Sequence, residues 1–175
     1  SRHQALNKKI MFYLKDNFLS KEECEYLIRY WKEYPDEKKI IYNDTKVVRL
    51  CKITTGNLWM DDLFKYIGSK CSSLSDSEIV CDNIEIVQWE PENYMRPHKD
   101  EEDICSVIVY LNDDYQGGET GVCFNDPKGQ QLTIEPKQGR MIAFTNGTKD
   151  GYYHWVNKVK DCDRYTLAFW FTAPK

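Results

Sequence analysis

From residue 84 to residue 172 the chain is a series of short apolar runs, broken at close intervals by turn residues. The runs are Ile84–Trp89, Ile104–Leu111, Gly121–Phe124, Gln131–Ile134, Met141–Thr145, Tyr152–Val159 and Tyr165–Thr172. Between them stand Asn112-Asp113-Asp114, Gly117-Gly118, Asp126-Pro127-Lys128-Gly129 and Pro136-Lys137-Gln138-Gly139, all strong turn signals. Many short strands at regular spacing predict two packed sheets of the jelly-roll kind.

The residues ahead of this region read differently. Ser20-Lys21-Glu22-Glu23 is a capping box, in which the Ser20 hydroxyl and the Glu23 carboxylate satisfy first-turn amides. It opens a helix with Cys24, Leu27, Ile28 and Trp31 on one face, ending near Pro35. A second helix is predicted from about Met60 toward Cys71, carrying Leu63, Phe64 and Ile67. No repeat or linker divides the 175 residues. The expectation is one α+β, mainly β domain over residues 1–175: a helical part at about 12–75 buttressing a β core at about 84–172.

With 41% hydrophobic and 14% aromatic residues the chain is too apolar for disorder, and at 30% charged it offers no membrane-spanning run. A balance of 24 Lys+Arg against 28 Asp+Glu lacks the basic excess of a nucleic-acid binder, and none is expected as partner. The seven cysteines form no CxxC pair, which argues for reduced thiols over a zinc site or a complete disulfide framework. The N-terminus has no apolar signal-like stretch. Residence is therefore expected to be cytoplasmic if the chain is complete, and secretory or in the ER lumen if a signal or anchor once preceded it. The sequons Asn43-Asp44-Thr45 and Asn146-Gly147-Thr148 matter only in the second case.

Of only three histidines, His3 lies in a polar lead-in and two stand near carboxylate and strand patterns. In extended backbone, residues i and i+2 share a face, so His98 and Asp100 project together. His154 sits in the strand-like Tyr152-Tyr153-His154-Trp155-Val156. Two histidines and one carboxylate are the facial triad of a non-haem Fe(II) oxygenase. Taken alone, the same residues also read as a surface histidine and a satisfied core one. Ten residues after His154 comes Arg164, and alternation places Arg164, Thr166, Ala168 and Trp170 on one face of a strand. A buried arginine needs an anion, and its planar fork suits a carboxylate. That carboxylate is either an Asp or Glu of the protein or a ligand. Tyr110 is either core or a further donor to the same group. The order H-x-D, Tyr, His, Arg favours the ligand.

These segments carry a resemblance. Tyr94-Met95-Arg96-Pro97-His98-Lys99-Asp100, Val109-Tyr110-Leu111-Asn112-Asp113-Asp114, Gly117-Gly118-Glu119-Thr120, Pro136 to Phe144, His154 and Arg164 to Thr172 resemble the Fe(II)/2-oxoglutarate-dependent dioxygenases of the prolyl hydroxylase type. The likeness runs from about Phe12 to Phe171 and includes Asn17 to Cys24. The chain looks most like the catalytic domains of leprecan-type prolyl 3-hydroxylases, and shares the arrangement of prolyl 4-hydroxylases.

The resemblance implies Fe(II) held by His98, Asp100 and His154, and 2-oxoglutarate and O2 as co-substrates, with ascorbate as an accessory. It implies catalytic roles for His98, Asp100, His154 and Arg164. Arg164 is implied to pair with the distal carboxylate of 2-oxoglutarate, helped by Tyr110 and Thr166, with Trp170 lining the pocket. Where relatives commonly carry a tyrosine before the first ligand, this chain has Gln88 and Trp89; Gln88 is the expected co-substrate donor, though which of the two faces the site is left open. The usual Gly-containing loop is replaced by Glu90-Pro91-Glu92-Asn93.

The implied reaction is oxidative decarboxylation of 2-oxoglutarate coupled to hydroxylation, most simply of a prolyl residue in a peptide or protein. Alternatives on the same scaffold are a Lys or Asn side chain, a small molecule, a nucleic-acid demethylase or a non-catalytic binding module. Demethylase relatives usually carry a second arginine six residues beyond the first, where this chain has Trp170. The resemblance places the polar stretch Tyr34–Lys52 where such enzymes often carry a mobile segment over the site, and the stretch reads equally as a solvated loop with no role; Arg49 within it, together with Arg96 and Trp155, are the expected substrate contacts.

Overall fold

Two antiparallel sheets enclose a cavity in the computed structural model, which describes residues 12–49, 62, 65, 66, 69, 79–100, 104–124, 130–146 and 151–174. The chain starts with β1 (Phe12–Lys15), then α1 (Lys21–Glu33), a single 3-10 turn at Asp36–Lys38, β2 (Ile40–Tyr42) and β3 (Thr45–Arg49). After these come β4 (Val80–Trp89), β5 (Met95–His98), β6 (Cys105–Tyr110), β7 (Gln116–Gly117), β8 (Thr120–Phe124) and β9 (Gln131–Ile134). The last strands are β10 (Met141–Thr145), β11 (Tyr152–Val156), β12 (Val159–Lys160) and β13 (Arg164–Thr172). The large sheet runs β1-β10-β6-β13-β4-β3-β2 and the small one β5-β11-β8-β9, with β12 and β7 pairing separately. This is the jelly-roll-like double sheet expected from the strand spacing.

The helix forms for the reason the sequence indicated. Ser20 Oγ accepts from the Glu23 amide at 3.1 Å, and Glu23 Oε1 accepts from the Ser20 amide at 2.9 Å, so both ends of the capping box are closed. Its buried Cys24, Leu27 and Trp31 pack with Leu167, Phe169, Phe171, Ile84, Ile86, Val107 and Val109 on the outer face of the large sheet. Strand β13 is central and buried on both faces. Tyr165, Leu167, Phe169 and Phe171 join the helix-side core, while Arg164, Thr166, Ala168 and Trp170 line the cavity. The alternation read from the sequence assigns each side chain to its correct layer.

Two parts of the N-terminal expectation need correcting. The region at 12–75 is not purely helical, because β1 adds to one edge of the large sheet and the β2–β3 hairpin extends the other. The Tyr34–Lys52 stretch contains that hairpin, with Val47 and Val48 buried. Its lysines hid the strands: edge strands keep charge on their open side, which dilutes the apolar signal. Strand β5 also escaped notice, since Met95-Arg96-Pro97-His98 is short and holds a proline. The second predicted helix lies mostly outside the described residues; Asp62, Lys65, Tyr66 and Ser69 are helical, and the Tyr66 ring meets Phe18 at 5.9 Å.

Candidate active site

The pairing of β5 with β11 sets His98 directly opposite His154, and their rings lie 4.1 Å apart between centroids. Asp100, just past β5, closes the group: its Oδ1 is 3.6 Å from His98 Nε2 and its Oδ2 is 3.3 Å from His154 Nε2. One ligand atom from each of the three residues lies within 4.8 Å of the others. His98 Nδ1 sits 2.9 Å from the Arg96 carbonyl. A carbonyl only accepts, so Nδ1 holds the hydrogen and Nε2 presents its lone pair. His154 is buried, and its Nδ1 has no hydrogen-bond partner among the described residues.

Electrostatics keep this cluster ready for a cation. Burial is the largest influence on Asp100 and by itself raises its pKa, but hydrogen bonding and charge from His154, the His98 charge and the Trp170 indole together hold the carboxyl below its usual range. Burial, then the neighbouring His154, lowers the pKa of His98, which favours the neutral, metal-binding imidazole. Two imidazole nitrogens and a carboxylate on one wall of the cavity are a ligand set that fits a divalent iron.

Arg164, at the start of β13, is only 1% exposed. Its Nε donates to the Gly118 carbonyl at 2.9 Å and its Nη2 to Thr120 Oγ1 at 3.2 Å. The guanidinium carbon stands 5.1 Å from the Trp89 ring centre and 5.3 Å from that of Tyr110. Among the described residues no carboxylate pairs with it. A buried guanidinium without a counter-ion is a receptor for an anion. Gly118 is what lets it sit there: at φ +67° a Cβ would meet Arg164 Cδ at 3.0 Å and the Tyr115 ring at 2.8 Å. The Gly117-Gly118 pair, read from the sequence as a turn, also builds the arginine's seat.

The cavity, of about 770 Å³, brings together His98, Asp100, His154, Arg164, Thr166, Trp170, Arg49 and Arg96. Tyr110 lies beside it with its hydroxyl donating to Thr120 Oγ1 at 2.5 Å, so one threonine links the tyrosine to the arginine. Two expected residues are elsewhere. Gln88 points to the opposite face of the large sheet, where its amide donates to Asp163 at 2.8 Å; period-2 alternation puts Trp89, opposite Arg164, in the cavity instead. Trp155 alternates out of phase with His154 and covers Gly121 on the outer face of the small sheet, so it does not line the cavity.

Residues missed in the sequence also line the wall. Buried Glu85 accepts from Arg49 Nε at 3.0 Å and from Asn83 at 2.9 Å, and Ser106 donates to Asp100 at 3.4 Å. Glu85 had a signal, a charge in phase with Val87 and Trp89 inside an apolar strand. At the mouth, Asn93 of the unusual Glu90–Asn93 loop donates to the Asp44 carbonyl at 2.9 Å and ties that loop to the β2–β3 turn.

Known proteins agree with this geometry. Residues 84–172 match the 2OG-Fe(II) oxygenase superfamily. The chain belongs to that superfamily. Its members use Fe(II), 2-oxoglutarate and O2, and His98, Asp100 and His154 are placed to bind the iron. The oxygenase is 40% identical over 67 residues to human prolyl 3-hydroxylase 2, a match covering 38% of this chain and 9% of that protein. It thus matches only a small part of such curated relatives.

Solved structures share the oxygenase's fold. A viral collagen prolyl hydroxylase from Paramecium Bursaria Chlorella virus-1, in complex with 2OG, superposes with a TM-score of 0.74 at 19% identity, over 94% of this chain and 96% of the other. A Trichoplax adhaerens prolyl hydroxylase bound to a hypoxia inducible factor peptide fragment gives 0.70 at 18% identity, over 92% and 83%. Among the described residues no helix is long and apolar enough to cross a membrane.

Proposed function

We propose that this oxygenase hydroxylates prolyl residues within a peptide or protein. The observation that carries the reading is one cavity lined both by a His98–Asp100–His154 cluster and by a buried Arg164 that meets no carboxylate among the described residues, in a chain similar to prolyl hydroxylases. Bound iron, with 2-oxoglutarate and O2, supplies the oxidising power for inserting oxygen into a C–H bond. The chain's own residues do the positioning. The bare Nε2 of His98, the Nε2 of His154 and the Asp100 carboxylate would hold the metal. Arg164 would take the distal carboxylate of 2-oxoglutarate, with the hydroxyls of Thr120, Tyr110 and Thr166 around it.

Trp89 and Tyr110 flank the guanidinium and keep water away from that charge pair. The cavity lining also takes in the β2–β3 turn, Arg49 at the far end of β3 and Arg96 of β5. An extended peptide can present one side chain to the metal there. A cavity of this volume has room for both the co-substrate and that side chain.

The test is to incubate iron-loaded protein with 2-oxoglutarate and proline-rich peptides, and to follow succinate release and the peptide mass. Gain of one oxygen on proline is expected, with loss of turnover in His154→Ala and on adding a chelator. Oxidation of a different residue, with none on any proline peptide, overturns the prolyl assignment. Unchanged succinate release by His154→Ala overturns the metal assignment.

A further inference from the structure

Behind Asp100 lies a chain of polar groups that the site has not yet used. Ser106 of β6 and Asn146, which follows β10, are 3% and 1% exposed. The Asn146 side-chain amide nitrogen donates to Ser106 Oγ over a short distance, and Ser106 Oγ donates to Asp100 Oδ2 at 3.4 Å. Trp170 Nε1 donates to the same Oδ2 at 3.3 Å. An amide nitrogen only donates, so the Ser106 oxygen must accept from Asn146. Its own hydrogen is then free to turn toward the carboxylate.

Asn146 is buried with one acceptor, Oδ1, unmet among the described residues, and an unmet buried acceptor is destabilising. Its backbone amide donates to the Ile104 carbonyl at 2.8 Å, which anchors the residue beside β6. With two donors on Oδ2, the other oxygen of Asp100 stays on the His98 side, 3.6 Å from Nε2. We propose that Ser106 and Asn146 are positioning residues, a relay of hydrogen bonds that fixes the rotation of the Asp100 carboxylate and so the affinity of the metal site. This rests on Asp100 being a metal ligand. It also gives the second sequon a different meaning, since Asn146 is too buried in the folded protein to accept a glycan.

The experiment is a Co(II) titration, followed by absorption in the presence of 2-oxoglutarate, on wild type, S106A, S106T, N146A, S106A/N146A and D100A. S106A is expected to weaken Co(II) binding about 10- to 100-fold and to alter the cobalt spectrum. S106T, which keeps a hydroxyl, restores affinity to within about threefold of wild type. N146A weakens Co(II) in the wild-type background but adds nothing in S106A, because its influence runs through the Ser106 hydroxyl.

Wild-type affinity and spectrum in S106A overturn the proposal, as does an N146A loss that is fully additive with S106A. If N146A fails to fold, the S106A and S106T pair decides alone. D100A separates the two levels. Retained Co(II) binding there overturns the metal assignment itself, whereas lost binding beside an unaffected S106A overturns only the positioning role.

Discussion

Replacing Arg164 by methionine should separate stability from co-substrate binding. Met keeps a long unbranched stem in a site that is 1% exposed and removes the guanidinium. In the ligand-free protein this takes away a charge that no carboxylate among the described residues compensates, relieving a burial cost of several kcal/mol. It also strips the Gly118 carbonyl of its 2.9 Å donor, which costs about 1–3 kcal/mol. The two effects oppose each other. Ligand-free stability, read from urea unfolding, is expected to stay within about 2 kcal/mol of wild type on that balance. Breaking a true buried ion pair would instead cost about 3–5 kcal/mol.

Binding should respond far more. Two charge-assisted hydrogen bonds from the fork to a carboxylate are worth about 1.5–3 kcal/mol each, so roughly 3–6 kcal/mol goes with them. At about 1.4 kcal/mol per decade, the Kd for 2-oxoglutarate rises about 10²- to 10⁴-fold. Titration calorimetry of 2-oxoglutarate into the Mn(II)-loaded protein reads this directly. Arg164→Lys, with the charge but not the fork, should fall between the two. An R164M Kd within about threefold of wild type would refute the assignment of Arg164 as the carboxylate receptor, and a stability loss of ion-pair size would show that it serves an internal partner.

A Cβ at Gly121 would lie 1.8 Å from the Trp155 ring, so Gly121→Ala should destabilise by about 1–3 kcal/mol in urea unfolding, and adding Trp155→Ala should recover part of that loss. Equal destabilisation with and without Trp155 would refute the clash. Burial pushes the Cys24 thiol up to about 12, whereas Cys162 is exposed, so iodoacetamide on the native protein should label Cys162 and spare Cys24 in peptide mass spectrometry. Asp16, hydrogen-bonded by Arg140 at 2.6 Å, has a carboxyl held below its ordinary value chiefly by that bond. A depressed carboxylate contributes stability above its unfolded pKa and loses it as pH falls through the folded one. Asp16→Asn should therefore destabilise near neutrality, with the difference from wild type closing below about pH 4; a gap constant with pH in urea midpoints would count against it.

Local signals were enough for much of the fold. The capping box of α1 closes as read, Gln131–Ile134 and Met141–Thr145 are strands end to end, and both faces of β13 are assigned correctly. These features depend on spacing within one segment, and central strands with a dense apolar pattern leave little ambiguity. The edges were harder. Strands β1 and β3 gain their state from pairing with distant partners, while edge strand β2 pairs only with its hairpin neighbour β3 and its Ile40, Ile41 and Tyr42 are all exposed, so no apolar alternation marks it.

The site divides in the same way. Residue types and order alone determined a candidate metal set and an arginine that needs an anion, because few side chains can do that chemistry. Tertiary structure decided what the arginine meets, placing Gly118 and Thr120 around Arg164 with no carboxylate among the described residues. It also decided the phase of each strand. One residue of offset sends Gln88 to Asp163 and Trp89 to the cavity, and turns Trp155 away while His154 turns in. A side chain's face is a property of register, and register is set by hydrogen bonds to strands far away in the chain.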